Sequence, residues 1–214
     1  MLIEIDEYKK KVPGYDPEKS EFFHRESAKL ADKDFIEHLK SGNYREVIFM
    51  AGGAASGKSE FSTSFLIGDD QLIYDGTLKN FDGFKIKLSN VKRYTKNNPS
   101  IKVILIIPDD WKQAFEIFLA RERKMKIETF FDTHIRSKIT VARVLLETEI
   151  NVEIFTSKPI PEKFNLSFEQ LPKIDTSELV KKLLTSAQEL ESHAKSRALA
   201  IDINYDIFQK YESE

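Results

Sequence analysis

The chain has 214 residues, 41% of them hydrophobic, with 33 basic against 35 acidic side chains and a formal net charge of -2. That length supports one well-cored domain, and the charge balance excludes a global field that would steer a polyanion, so nucleic acid is not an expected partner and any phosphate affinity must be local. Cysteine is absent, which excludes disulfides and cysteine-based metal sites. MLIEIDEYKKKVPGYDPEKS lacks a signal-peptide core and no run approaches the ~18 apolar residues of a membrane span, so the expected setting is the cytoplasm, with no membrane partner.

Behind Pro13, Gly14 and Pro17, residues 18–41 carry Phe23, Ser27, Leu30, Ala31, Phe35, His38 and Leu39 at helical spacing, and Ser41-Gly42-Asn43 ends the run. Residues 1–45 therefore read as a helical leader packed on a core. Val47-Ile48-Phe49-Met50-Ala51 suits a strand buried on both faces. A glycine-rich turn follows, then a helix from about Lys58. Gln71-Leu72-Ile73-Tyr74 reads as a second strand, ending at Asp75-Gly76-Thr77.

Phe84, Leu88, Val91 and Thr95 predict an amphipathic helix over 81–97, halted by Asn97-Asn98-Pro99. Residues 102–107 form the clearest strand. Pro108-Asp109-Asp110 then leads into a helix with Trp111, Ala114, Phe115, Phe118 and Leu119 on one stripe, Asp110 suiting an N-cap. A further helix is expected over 130–149, with His134 on its surface, and a fourth strand over 151–155. Residues 156–174, with three prolines, read as a loop; from Thr176 a helix keeps Leu179, Leu183, Leu190, Ala194 and Ile201 in register. Apolar strands alternating with helices predict an α/β P-loop NTPase fold, a parallel sheet of about four or five strands covered by helices on both faces. The core spans 46–156 with lid helices at about 109–149, and 157–214 adds a loop and a C-terminal helix.

Residues 52–59 read Gly-Gly-Ala-Ala-Ser-Gly-Lys-Ser, a full GxxxxGKS pattern between a predicted strand and a predicted helix. Gly52, Gly53, Ala54, Ala55 and Ser56 are small enough to let the backbone curl its N–H groups onto one anion. Gly57 admits close approach, and the positive end of the following helix favours the same phosphate. Lys58 can reach the β- and γ-phosphates of a nucleoside triphosphate, and the Ser59 hydroxyl can ligate Mg²⁺. Asp75, at a strand's carboxyl end, can take a substrate proton, hold Mg²⁺ through water, or simply form an Asp-Gly turn. Arg121, Arg123, Lys124 and Lys126 cluster after the Trp111 helix, while Arg136 and Arg143 share a face of the next. As a set they suit a lid over phosphates; singly, each also suits a solvated basic surface.

VIFMAGGAASGKSEF, LIYDGTLKNF, VILIIPDDWKQAFEIFLARER and FFDTHIRSK, behind YDPEKSEFFHRESAKLADKDF, together resemble the zeta-toxin-like P-loop kinases, in a compact branch, over roughly residues 15–155. The resemblance implies a kinase using ATP or GTP with Mg²⁺, transferring the γ-phosphoryl to a small-molecule hydroxyl of the UDP-N-acetylglucosamine type, and a small helical antitoxin as partner. It implies Lys58 and Ser59 as the P-loop pair, and Arg121 or Arg123, with Arg136, as lid arginines. The larger toxins carry a further strand with a catalytic aspartate before the strand that ends in a Glu-Gly-Thr motif. Here only residues 60–74 separate Ser59 from Asp75. Two alternatives stay open: a nucleotide-binding regulatory module with degenerate catalysis, and a nucleoside or nucleoside-monophosphate kinase.

Overall fold

The computed structural model describes residues 1–66, 68–122, 125–160 and 165–211. Six strands form one sheet: β1 (Leu2–Glu4), β2 (Glu46–Ala51), β3 (Gln71–Asp75), β4 (Ser100–Pro108), β5 (Asn151–Pro159) and β6 (Leu166–Gln170), in the order β1-β3-β2-β4-β5-β6. Neighbours pair in parallel from β1 to β5, and β6 runs antiparallel to β5 at the far edge. The helices are α1 (Ile5–Lys9), α2 (His24–Ser41), α3 (Lys58–Phe65), α4 (Phe81–Tyr94), α5 (Trp111–Ala120), α6 (Ile127–Glu147) and α7 (Thr176–Ser196). Among the described residues none is long and apolar enough to cross a membrane.

The period-two alternation of a strand divides the core into two unequal layers. Val47, Phe49, Leu72, Tyr74, Val103 and Leu105 point to one face, where residues of α1, α2, α4, α5, α6 and α7 cover them. Ile48, Met50, Ile73, Ile104 and Ile106 point to the other, where Phe61 of α3 meets them, with Phe155 and Phe168 at the margin. Helical cover is thus heavy on one face and, among the described residues, one short helix on the other. On the thick face Phe35, Phe49, Tyr74 and Phe84 meet mostly edge-to-face, the arrangement that ring quadrupoles favour.

Three expectations change. The stretch 156–174 is not all loop: β5 continues to Pro159 and β6 pairs back along it, Phe155 opposite Gln170 and Pro159 opposite Leu166. Its prolines conceal this in the sequence, but Pro159 falls at the last residue of β5 and none falls in β6, an edge strand where polar side chains are tolerated. The leader is not wholly helical, since β1 joins the sheet beside β3 with Ile3 fully buried; three residues are too few to show a period. The expected lid segment contains a core helix. Phe130, Phe131, His134, Ile135, Ser137, Lys138, Val141, Ala142 and Val144 of α6 are all buried, so His134 is not a surface residue.

Candidate functional site

Parallel strands gather their carboxyl ends on one edge of the sheet, and the turns that leave that edge are where an open α/β sheet binds ligands. β2 ends there at Ala51, and the chain curls through Gly52–Gly57 into α3. Three residues adopt left-handed φ: Gly52 (+137°), Ala55 (+62°) and Gly57 (+88°). At Gly57 a side chain would also press on Leu166, whose Cδ1 lies 2.5 Å from an ideal Cβ. At Ala55 the left-handed conformation costs about 1 kcal/mol, so the surrounding structure must hold the loop in place.

It does so from two sides. The Gly52 N–H donates to the Thr77 carbonyl (3.3 Å), and Ser137 Oγ donates to the same oxygen (2.5 Å). The Ala54 N–H donates to Thr133 Oγ1 (3.1 Å), while His134 Nε2 donates to the Ala54 carbonyl (2.9 Å). That acceptor requires the proton on Nε2, with a neutral ring. Burial, joined by the charge of Lys138, drives the His134 pKa down to about 3. On the opposite side Ser157 Oγ donates to the Ser56 carbonyl (2.8 Å). A Cβ on Gly53 would overlap the His134 ring. Gly53→Ala is therefore expected to destabilise the fold by about 2 kcal/mol, a loss of roughly 4–8 °C in melting temperature by circular dichroism. Ala55→Gly, which relieves strain, should not lower it.

The loop leaves donors without protein partners. Lys58, Ser59 and Glu60 open α3, so their N–H groups lack intrahelical acceptors, and the Ala55 and Gly57 N–H groups donate to no protein acceptor among the described residues. A helix start with converging N–H groups is a ready anion site. Lys58 arches back over it, donating to the carbonyls of Gly52 (3.1 Å) and Gly53 (2.9 Å). Burial lowers the Lys58 pKa; Asp75 opposes the shift and Arg121 adds to it.

Beside the lysine, Ser59 Oγ donates to Asp75 Oδ2 (3.1 Å). Asp75 is only 7% exposed, and burial pushes its carboxyl up to about 6 against the pull of Lys58 and Ser59. Among the described residues no group of three or more His, Cys, Asp or Glu side chains is placed to hold a metal ion. The Ser59–Asp75 pair suits instead an ion such as Mg²⁺, which keeps most of its water and takes one or two protein ligands.

The expected arginines separate. Arg121 ends α5 within electrostatic reach of both Lys58 and His134. Arg123 and Lys124 lie outside the described residues. Arg136 Nε donates to Asp132 (2.5 Å) and its terminal nitrogen to the Asp202 carbonyl (3.2 Å), with Lys79 on the other oxygen of Asp132 (2.9 Å). Burial raises the Asp132 pKa, but Lys79 and Arg136 outweigh it and hold the carboxyl below its usual range. These groups line a cleft of about 450 Å³ between the start of α4 and α6, with Phe81, Thr140 and Arg143. Asp110 caps α5 through the Lys112 N–H (2.8 Å), as its position before Trp111 predicts.

Thr133 and His134 are loop-holding residues that sequence reasoning did not find. The available signal was their helical spacing: His134 falls in step with Phe130, Ser137 and Val141, all buried, which puts it on the inner face.

The fold and site thus define an α/β domain with an anion-suited loop at the carboxyl edge of its sheet. No family model matches the chain, and no curated protein matches it. Among solved structures, one that matches is the crystal structure of AvrRxo1-ORF1:AvrRxo1-ORF2 with sulphate ions, 11% identical, covering 80% of this chain and 74% of that chain at a TM-score of 0.47. A likeness that slight bears no functional argument.

Proposed function

We propose that the protein is a P-loop phosphotransferase of the zeta-toxin-like group, moving the γ-phosphoryl of ATP or GTP to a hydroxyl of a small acceptor. The observation that carries this reading is the 52–59 loop. Its strained turn presents N–H donors at the start of α3, with Lys58 over them and the Ser59–Asp75 pair alongside. Those donors, one cation and an oxygen pair fit a triphosphate and its Mg²⁺. The ion would supply charge neutralisation at the transferring group, held by Ser59 directly and by Asp75 directly or through water.

In this reading Lys58 exchanges its two loop carbonyls for phosphate oxygens. The N–H groups of Ala55, Gly57, Lys58 and Ser59 orient the β-phosphate, and Arg121 adds positive charge where the transition state gathers negative charge. Arg136, with Lys79 and Arg143, faces the neighbouring cleft, which suits an anionic acceptor; a sugar nucleotide of the UDP-N-acetylglucosamine kind is the acceptor the resemblance implies. A small helical antitoxin belongs to the same reading. The two arginines should then behave differently. Arg121→Ala is expected to lower turnover about 10²-fold or more with little change in acceptor KM, and Arg136→Ala to act mainly by raising acceptor KM, both read by initial-rate kinetics.

The test is an untargeted search for phosphorylated products after incubating the protein with Mg-ATP or Mg-GTP and panels of sugar nucleotides, nucleosides and nucleoside monophosphates. Transfer to a sugar nucleotide supports the proposal, and transfer confined to nucleosides or their monophosphates assigns the protein to that kinase class instead. A second reading, a nucleotide-responsive binding module, draws on Lys58 folded onto its own loop; it requires nucleotide binding with no product in any panel.

A further inference from the structure

We propose that the cleft beside the loop takes an acceptor that joins an anionic group, phosphate or carboxylate, to an apolar body. The chain beyond α7 completes that site: it fixes Arg136 and supplies the apolar wall. Both statements rest on the phosphotransferase reading and narrow its acceptor class, through a segment outside the stretch that resembles the known kinases.

The cleft and the loop share their walls. Thr77, whose carbonyl accepts from the Gly52 N–H, stands two residues before Lys79, and Thr133, which accepts from the Ala54 N–H, follows Asp132. Lys79 and Asp132 both line the cleft, so its near end lies beside the loop. From Asp132 it follows α6 past Arg136 and Ile139 to Arg143, a length of about 16 Å at the helical rise. The near end is cationic. Lys79 donates to Asp132 (2.9 Å), while Arg136 donates through Nε to Asp132 and through one terminal nitrogen to the Asp202 carbonyl. Among the described residues this leaves further N–H donors of Lys79, and the other terminal nitrogen of Arg136, without a protein acceptor. The two side chains are 39% and 44% exposed, so those donors can reach a ligand. A guanidinium edge beside an ammonium fits a phosphate or a carboxylate.

The apolar wall comes from the C-terminal segment. α7 ends at Ser196, and the chain turns at Ala198 in the left-handed region (φ +57°), the Leu199 N–H donating back to the Ala194 carbonyl (3.1 Å). Ile201 and Phe208, both buried, then anchor the segment in the thick layer. Between these anchors the Asp202 carbonyl meets Arg136 (3.2 Å), so the guanidinium is held from two sides, by α6 and by this segment. Ile203 and Ile207, each partly buried, line the cleft with Ile139 of α6. One exposed isoleucine is ordinary on a protein surface. Three on one cleft, beside two cations with unused donors, form the combination of apolar wall and few polar groups that marks a small-molecule site. Its volume of about 450 Å³ lies in the range of such sites. A wholly polar acceptor would leave the isoleucines against water, and a wholly apolar one would leave the cations unused.

The experiment is calorimetric titration with Mg-ADP filling the loop. Cyclohexyl phosphate and cyclohexanecarboxylate are compared with glycerol phosphate and glycerate, which carry the same anions on polar bodies, and with UDP-N-acetylglucosamine. Each cyclohexyl anion is expected to bind the wild-type chain about tenfold or more tightly than its polar counterpart. Ile203→Ser and Ile207→Ser should each cut that preference about threefold or more, with the polar anions held within about twofold. Ile203→Leu should keep the preference, which a purely structural role for Ile203 would not require. Arg136→Ala should weaken both members of each pair about tenfold, and thermal unfolding checks that every variant folds. Equal binding of cyclohexyl and polar anions overturns the inference, as does a preference that survives both serine substitutions. So does UDP-N-acetylglucosamine that displaces cyclohexyl phosphate with an affinity indifferent to those substitutions. The expected preference, with no transfer in any panel of the product search, supports the cleft assignment and removes the phosphotransferase reading. Transfer to an acceptor with no apolar body, at a KM that Ile203→Ser leaves unchanged, does the reverse. Failure of Mg-ADP itself to bind removes both.

Discussion

Lys58→Ala is expected to lower γ-phosphoryl transfer about 10³-fold and to weaken nucleotide binding severalfold. The ammonium is anchored at both ends of its reach. At rest it donates to the Gly52 and Gly53 carbonyls, so it already hangs over the mouth of the loop. With a triphosphate bound, the same donors turn to phosphate oxygens with little side-chain rearrangement, and the cost of ordering the lysine has been met in folding. Alanine removes the cation that the loop itself holds in place, and Arg121, which follows α5, is not held by those carbonyls. Arginine is not a conservative replacement here, since a planar guanidinium does not match two carbonyls spaced for one ammonium. The Lys58→Ala chain itself should fold, because burial already opposes the charge of the lysine and alanine leaves no cation there. Labelled-phosphate transfer and titration with a fluorescent nucleotide measure the two effects, with thermal unfolding as the folding control. Transfer within about tenfold of wild type would leave the loop without the role assigned to it.

Much of this arrangement was legible in the sequence because it is local. A glycine-rich turn between an apolar strand and a helix can be read from residues 47–66, and continuous apolar, mostly β-branched runs such as residues 103–107 announce buried parallel strands. What escaped is long-range. The strand β1 joins the sheet by pairing with a segment about 70 positions away, and nothing in Leu2-Ile3-Glu4 reveals that partner. Thr133 and His134 hold the loop across 79 and 80 positions; a histidine among charged residues reads as exposed unless its helical phase is weighed against Phe130 and Val141. β6 was hidden for a different reason. An edge strand flanked by prolines lacks the apolar run that marks a central one, and its contribution lies in Phe168 packing on Phe61 and Phe65.

The second large effect is on acid stability, where His134 and Asp75 pull in opposite directions. His134 is buried as a neutral ring with a pKa of about 3, against about 6.5 unfolded. The unfolded chain binds the extra proton between these values, so the stability this residue contributes is complete above about pH 6.5 and is lost as pH falls toward 3. The full difference is on the order of 5 kcal/mol. Asp75, with its carboxyl raised to about 6 from about 3.8, does the reverse. Here the folded chain binds the extra proton, so stability is greatest below about pH 4 and declines as pH rises through 6, by about 3 kcal/mol. Between about pH 4 and 6 the two slopes nearly cancel. Asp75→Asn removes one of them. The variant should be more stable than wild type by about 2–3 kcal/mol at pH 7, even as it loses Mg²⁺-dependent binding, and the advantage should shrink to nothing by about pH 4. His134→Gln removes the other slope, so its stability relative to wild type should improve steadily as pH falls from 6 to 4, whatever its starting value. Urea unfolding across this range, taken as variant minus wild type so that the remaining carboxylates drop out, reads both effects. A flat difference curve for Asp75→Asn would mean that its carboxyl titrates alike in the folded and unfolded chain, and the buried, ion-ready position assigned to Asp75 beside Ser59 would fall with it.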